Sequence, residues 1–494
     1  MSETSSCPMT KLARYVKIVK QHIPQWPGWA VNLMLFMGIL LLATLHLTRI
    51  YGPKDIEEEP KSNGVSKRHE KLELHQQFNS FRYKYLAVYS VIMLADWMQG
   101  THMYTLYLSY NVNVSALFLT GFLSGAIFAP FLGSLVDRYG RKASCVIYCL
   151  LEVVINILEH YDNFTILLFG RVLGGISTNL LFSAFESWMT TEHRKLGFHE
   201  EWLQQTYSEM SVANGAMAIM AGIAAQLLED YLGHIGPFQG AIALTVLAMV
   251  LVLFLWNENY GEDHPNEKSN EQSSLYTQFI HGWKATLSDS NIWRIGLIQA
   301  LSEGAMYTFV FMWVPTLLNL SPPGGLPTGA VFSSFMMSIT IGGLLFPLLE
   351  SCMLKFTTQK SQSESAATVI YALASLSMFA PALCLKSGKL FGGRNCFELV
   401  LTSFVVMEAC VGLFMPVQGT LRSKYVPDAM QGAIMNIFRL PLNTVVVLGT
   451  YATDILPSWQ VFSLVGGCLM LATLLQASMI GSATITISEA KKES

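Results

Sequence analysis

Gly133-Ser-Leu-Val-Asp137-Arg138-Tyr139-Gly140-Arg141-Lys142 lies between two apolar runs, residues 114–136 and 143–160. Each run is close to the ~20 residues that a helix needs to cross a bilayer core. The ten residues therefore read as the end of one membrane helix, a very short polar loop and the start of the next. Gly133 permits close helix approach, and Gly140 permits a tight turn. Asp137 stands at a helix end beside three cations, Arg138, Arg141 and Lys142, where charge-assisted hydrogen bonds to neighbouring helices are available. A generic basic loop requires no such spacing of acid, glycines and cations.

The pattern of apolar run and short polar loop extends over the chain. Of its 494 residues 52% are hydrophobic and 13% charged, where a soluble domain carries about 25% charge. The apolar residues fall into thirteen runs, near 28–48, 84–109, 114–136, 143–160, 164–188, 207–229, 235–256, 293–318, 328–350, 366–386, 397–418, 430–453 and 458–481. A soluble enzyme is excluded. A net charge of −3 gives neither the basic footprint of a nucleic-acid binder nor the acidic excess of a disordered tail. The eight cysteines are scattered, with no C-x-x-C pair and no histidine cluster at ligand spacing, so no metal, redox site or cofactor is implied. Cys145 and Cys149, four apart in an apolar helix, read as packing residues.

Lys and Arg set the orientation. With residues 49–84 on the cytoplasmic side, cytoplasmic segments hold 22 Lys/Arg and the opposite loops hold three, Lys386, Lys389 and Arg394. Four more, Lys11, Arg14, Lys17 and Lys20, precede the first run and fall on the outer side, outvoted by the eight that follow it. That first run is expected to be retained as a span or signal anchor. The three Asn-x-Ser/Thr sequons, at Asn113, Asn163 and Asn319, all lie in loops that the charge count puts outside. The expected divisions are a leader and extra helix (1–50), a cytoplasmic linker (51–83), a six-helix half (84–256), a central cytoplasmic loop (257–292), a second six-helix half (293–481) and a cytoplasmic tail (482–494). Such halves enclose a central cavity and are themselves nested repeats. Similarity between them is faint, Gly100-Thr-His-Met-Tyr-Thr105 against Gly304-Ala-Met-Tyr-Thr308.

The loop at 133–142 matches G-x-x-x-D-R/K-x-G-R-R/K, the signature of the major facilitator superfamily, and Gly170-Arg171-Val-Leu-Gly174-Gly175 resembles that family's R-x-x-x-G element. The resemblance narrows further. Residues 94–99 (L-A-D-W-M-Q), 170–188 (G-R-V-L-G-G-I-S-T-N-L-L-F-S-A-F-E-S-W), 256–260 (W-N-E-N-Y), 298–303 (I-Q-A-L-S-E), 331–336 (V-F-S-S-F-M), 407–416 (M-E-A-C-V-G-L-F-M-P) and 438–442 (F-R-L-P-L) resemble the molybdate-anion transporter family, which also carries an extra N-terminal hydrophobic segment. The resemblance implies an all-α membrane protein of the major facilitator fold, two six-helix halves plus one N-terminal helix, that moves molybdate, a tetrahedral oxyanion, by alternating access. Two departures stand out. Residues 350–360 (E-S-C-M-L-K-F-T-T-Q-K) lack a copy of the loop signature, so gating is expected to differ between the halves. Residues 214–222 (N-G-A-M-A-I-M-A-G) lack the pattern of many drug antiporters.

Eight ionisable residues lie inside the core spans: Asp96, Glu152, Glu159, Arg171, Glu186, Glu303, Glu408 and Arg439. Each costs ~2.5–3.5 kcal/mol at a helix centre on insertion scales, so each needs a cavity or a partner. Glu159 and Glu186 lie near span ends, where they are expected to reach water. Arg171 and Arg439, one in each half, are the candidate substrate residues, because a guanidinium offers paired donors to an oxyanion. Ion pairing with a nearby carboxylate is the alternative for each. Six acids against two arginines cannot all be ionised, which makes Asp96, Glu303 and Glu408 the candidates for proton coupling, and Gly133, Asp137, Arg138, Gly140, Arg141 and Lys142 form the gating motif. Pro441 is expected to bend the helix carrying Arg439. Trp97, Tyr104, Tyr107, Phe182 and Trp188 pack helices or line the path. The expected partners are molybdate or a similar oxyanion, protons and the lipid bilayer, with no nucleic acid, for a monomer in the plasma membrane. Lys491-Lys492-Glu493-Ser494 resembles an endomembrane retrieval signal and gives the alternative location. Two further readings stay open: a proton-coupled carrier of a small organic solute, and a non-transporting membrane scaffold or sensor.

Overall fold

Thirteen helices account for almost all the described residues: α1 (Gly28–Tyr51), α2 (Val65–Ser109), α3 (Val114–Tyr139), α4 (Arg141–Leu158), α5 (Phe164–Lys195), α6 (Glu200–Leu232), α7 (Gly236–Leu255), α8 (Ser290–Leu320), α9 (Thr328–Met353), α10 (Gln362–Lys386), α11 (Gly393–Tyr425), α12 (Gln431–Ile455) and α13 (Ser458–Ala490). This computed structural model describes residues 26–51, 65–260, 283–284, 286–322, 324–354, 357, 361–387, 393–426 and 431–490; for 51, 65–72, 130–131, 133–135, 137, 393–395, 431–433, 436 and 481–490 it describes backbone alone. The expected leader, much of the linker and of the central loop, and the dilysine tail lie outside the described residues. Nine of the helices are long and apolar enough, among the described residues, to cross a membrane. Polar caps fix several starts: the Asn113 side chain accepts from Ala116 N, Asn163 from Thr165 N and Ile166 N, and Asp289 from Asn291 N.

The sequence repeat is faint, but the packing repeat is plain. α2 packs on α6 and α7, α3 on α5, and α4 on α5 and α7. Six helices later the pattern returns: α8 packs on α12 and α13, α9 on α11, and α10 on α11 and α13. The two sets meet along two seams, α6 with α9 and α3 with α12.

One membrane side carries the 138–142 loop (the basic-loop side) and the other carries Asn113, Asn163 and Asn319 (the sequon side). The hydrogen bonds and ring contacts described between the sets all lie from mid-span to the sequon side. Gly329 N donates to Gln226 Oε1 at 2.9 Å, Ser333 Oγ donates to the Ile219 carbonyl at 2.8 Å, and Ser115 bonds Asp454. Phe118 and Phe122 of α3 meet Phe311 and Tyr307 of α8 edge-on. Toward the basic-loop side, Phe182 on α5 and Met415 on α11 are 72% and 68% exposed, and open space surrounds Gly419. The seams are shut at the sequon end.

α1 runs parallel to α9 from the sequon side: Trp26 and Val31 pack with Ala330, Met37 with Met337 and Ile341, and Leu41 joins Leu345. Ile219, Ile223 and Leu227 of α6 join the same clusters, so α1 lies across the α6–α9 seam. Trp26 Nε1 donates to Asp230 Oδ2 of α6 at 2.6 Å. The scattered cysteines suggest no pairing in sequence. The structure joins Cys384 to Cys396 as a disulfide with Cα atoms 6.0 Å apart, linking the sequon-side ends of α10 and α11. Their apolar flanks hid the pairing, since each falls inside or beside a hydrophobic run.

Candidate substrate and coupling site

Gln299 and Glu303 stand one turn apart on α8. Arg422 reaches them from α11, its Nη1 donating to Gln299 Oε1 at 3.2 Å. From α12, Phe438 packs so closely that a Cβ on Gly296 would meet its ring at 2.4 Å, which sets the neighbouring Arg439 beside the same stretch of α8. Behind the cluster, Gln418 Nε2 donates to Ser302 Oγ (3.0 Å) and Tyr371 OH (3.4 Å), holding α11, α8 and α10 together.

Arg439 is exposed and has no hydrogen bond or ion pair among the described residues. Its helix face shows what it is exposed to. At 3.6 residues per turn, Arg439, Asn443, Thr450 and Asp454 form one stripe. Leu440, Leu448, Tyr451 and Ile455, all more than half exposed, form another about 120° away. The apolar stripe faces lipid. The polar stripe faces α3, because Asp454 bonds Ser115 there and Thr450 is buried. Toward the basic-loop end the polar stripe opens, which leaves Arg439 lining the gap between the two sets. α12 continues across Pro441.

Arg171 is placed differently. Its Nη2 donates to Glu159 Oε1 at 2.7 Å and its Nη1 meets Met103 Sδ at 2.9 Å, with the Tyr107 ring 5.9 Å away. Tyr107 OH donates to the same Glu159 oxygen at 2.9 Å. Glu159, expected to reach water, is 1% exposed; it is the buried partner of Arg171. Glu186 is exposed, as its position near a span end suggested. The two arginines are also set at different depths. Arg171 lies level with Gly121, whose neighbour Phe122 meets Tyr307, whereas Arg439 lies level with Gly296. Eleven residues of α8 separate those levels, about 16 Å of helix rise. The structure does not assemble the expected clamp of Arg171 and Arg439 on one tetrahedral anion.

Asp96 sits on α2, about one turn before Gln99. Gln99 Nε2 donates to Glu152 Oε2 at 2.9 Å and Ser177 Oγ donates to Oε1 at 2.5 Å, so α2, α4 and α5 meet in an acidic network. Glu408 on α11 is 4% exposed and has no hydrogen bond among the described residues. It shares a helix stripe with Met415, Gly419 and Arg422. Burying it ionised would cost several kcal/mol. The structure therefore sets Glu303 one turn from the Gln299 that Arg422 bonds, and gives Asp96 and Glu408 no arginine partner among the described residues.

The gating motif docks within its own set. Gly140 adopts φ +105°, and a Cβ there would lie 2.8 Å from the Glu258 carboxylate. Glu258 accepts from Lys142 N (2.8 Å) and Ala143 N (2.9 Å), capping α4. Arg141 N donates to the Asn259 carbonyl at 3.0 Å and its guanidinium bonds Thr191, while Arg138 is exposed over Tyr139. The side chain of Asp137 and the surroundings of Gly133 lie outside the described residues. Trp256 stacks on Trp188 at 3.9 Å, and Trp188 Nε1 donates to the Asn257 carbonyl at 2.8 Å. Among the aromatics, Tyr107 and Trp188 are buried in packing, Trp97 Nε1 donates to Asn214 Oδ1 at 2.8 Å, and Phe182 is exposed.

A family profile described as sugar transporters with 12 transmembrane segments matches residues 64–400. The molybdate-anion transporter of Xenopus laevis is 34% identical over 75% of this chain and 79% of its own length. The chain belongs to the molybdate-anion transporter family. The relative from Danio rerio is 31% identical over 76% of this chain and 79% of its own. In fold, this family member resembles a variant of the nucleoside transporter NupG (TM-score 0.62, 14% identity, 81% of this chain and 99% of that one). It also resembles an auto-inhibited peptide transporter of the POT family (TM-score 0.61, 11% identity, 82% and 96%). It is a multi-pass membrane protein of the major facilitator fold and a transporter, not an enzyme.

Proposed function

We propose that this transporter carries molybdate across its membrane by alternating access, with Arg439 as the substrate-facing guanidinium. The observation that carries the proposal is the unpaired exposure of Arg439 to the gap between the sets. A charge on a spanning helix persists only where water, a partner or a ligand meets it, and a guanidinium suits a tetrahedral oxyanion. The relatives are named for the same anion. Arg171, buried against Glu159, ties α5 to α4 and α2 rather than touching substrate. The acids Asp96, Glu303 and Glu408 support proton coupling, since movement of a dianion with protons reduces the charge carried across the bilayer.

The sequon side is the exoplasmic side in this reading. The Lys/Arg bias, the three sequons and the Cys384–Cys396 disulfide all favour it, as disulfides form in oxidising compartments. The seams are then shut to the outside and the gap opens to the cytoplasm. The plasma membrane and a monomeric state remain part of the proposal.

The test is molybdenum accumulation in cells lacking molybdate uptake. The wild-type protein gives saturable uptake, Arg439→Gln abolishes it, and excess sugar does not compete. Correctly localised wild type without uptake overturns the reading. Asp96→Asn, Glu303→Gln and Glu408→Gln are expected to flatten the pH dependence of uptake; variants that keep the wild-type profile remove the residue concerned from coupling.

A further inference from the structure

We infer that Arg422 supplies the second guanidinium of the anion site and that Glu303, on the stretch of α8 that Arg422 and Arg439 both approach, is an internal counter-ion that exchanges with the incoming dianion. The inference rests on the molybdate reading above and adds both the partner of Arg439 and the origin of proton linkage.

The geometry is local to one stretch of α8. Arg422 of α11 bonds Gln299, Glu303 stands one turn beyond Gln299, and Phe438 places Arg439 of α12 beside Gly296, one turn before Gln299. Three helices thus bring two guanidiniums and one carboxylate to a stretch of α8 two turns long, from Gly296 to Glu303. Arg171 lies about 16 Å from the level of Arg439 in helix rise. Arg422 is only partly buried, and the next stripe residues, Gly419 and Met415, border open space. An anion entering from the basic-loop side meets both arginines.

The charges then count themselves. With Glu303 ionised the cluster carries one net positive charge. With Glu303 protonated it carries two, which match a dianion, and the two guanidiniums offer donors to its four oxygens. One proton therefore accompanies one dianion into the site. The groups facing Glu303 are Tyr307 on its own helix, Arg422 from α11, Arg439 from α12 and Tyr371 from α10. The described part of α13 brings no charged residue against α8. Gln299 accepts from Arg422, so it holds that fork in place while the carboxylate changes charge.

The experiment is binding of radiolabelled molybdate to the purified full-length protein in lipid nanodiscs at pH 6 and pH 8, a range in which molybdate remains a dianion. Wild type is expected to bind at least fivefold more tightly at pH 6. Arg422→Gln weakens binding at least tenfold at both pH values, and Arg422→Lys, which keeps the charge without the fork, falls between. Glu303→Gln binds tightly at both pH values. Monodispersity and melting temperature identify folded variants, and the lysine variant carries the test if the glutamine variant does not fold. Wild-type affinity in folded Arg422→Gln or Arg422→Lys overturns the inference, as does a wild-type pH ratio in Glu303→Gln. Wild type that binds no molybdate at either pH overturns the substrate reading itself.

Discussion

A guanidinium on a spanning helix needs water, a ligand or a carboxylate, and Arg171 and Arg439 adopt different solutions. In sequence both are arginines inside apolar runs, and nothing in the runs separates them. The difference comes from Glu159, twelve residues before Arg171, which a span-end reading assigned to water and which the α4–α5 crossing buries. Removing one partner of a buried pair costs ~3–5 kcal/mol, whereas replacing both with apolar groups is far less harmful. Arg171→Met and Glu159→Leu singly are expected to lower the melting temperature sharply, and the double variant to recover most of the loss. Additive losses in that cycle would show that the pair is not coupled. Arg422 was hidden for a related reason. Counted among loop charges, it sits on the last turn of α11, which runs to Tyr425, and the end of an apolar run locates a helix terminus only to within about a turn.

At the scale of elements, the 133–142 motif was legible because its spacing is local, and the positive φ of Gly140 explains the glycine. Its dock was legible only as a second block of family resemblance, 256–260, because the contact spans more than a hundred residues. Gly140→Ala places a Cβ against Glu258 in a strained conformation and is expected to cost about 1–3 kcal/mol, read as a lower melting temperature with the α4 cap lost. The α6–α9 seam depends on Gly222 and Gly329: a Cβ on Gly329 would approach the Gly222 carbonyl oxygen to 2.3 Å. Such small-residue crossings let backbones meet. Gly329→Leu is therefore expected to hold the sequon side open. A cysteine placed at Gln226 would then react with a membrane-impermeant maleimide several times faster than in the parent; an unchanged rate would refute this role of the glycine contact.

Over the whole molecule, hydropathy alone located the thirteen helices, since each of the thirteen apolar runs overlaps one of them. It could not show that α2–α7 and α8–α13 share one packing scheme, because side chains that satisfy the same crossing need not be alike. Nor could it show what α1 does. Lying on both α6 and α9, and bonded to Asp230 through Trp26, α1 spans a seam that has to part on the sequon side for the carrier to reverse. Deleting residues 1–50 is expected to shift the population toward the sequon-open form. The same maleimide reaction at a Gln226 cysteine would quicken, and Trp26→Phe would give a smaller change in the same direction; equal rates in all three proteins would rule out a restraining role. The disulfide has a mechanical consequence. With its sequon end bound covalently to α10, α11 behaves as a lever with a fixed fulcrum. Any swing of that helix is smallest beside Cys396 and greatest at the far arm, where Arg422 is mounted.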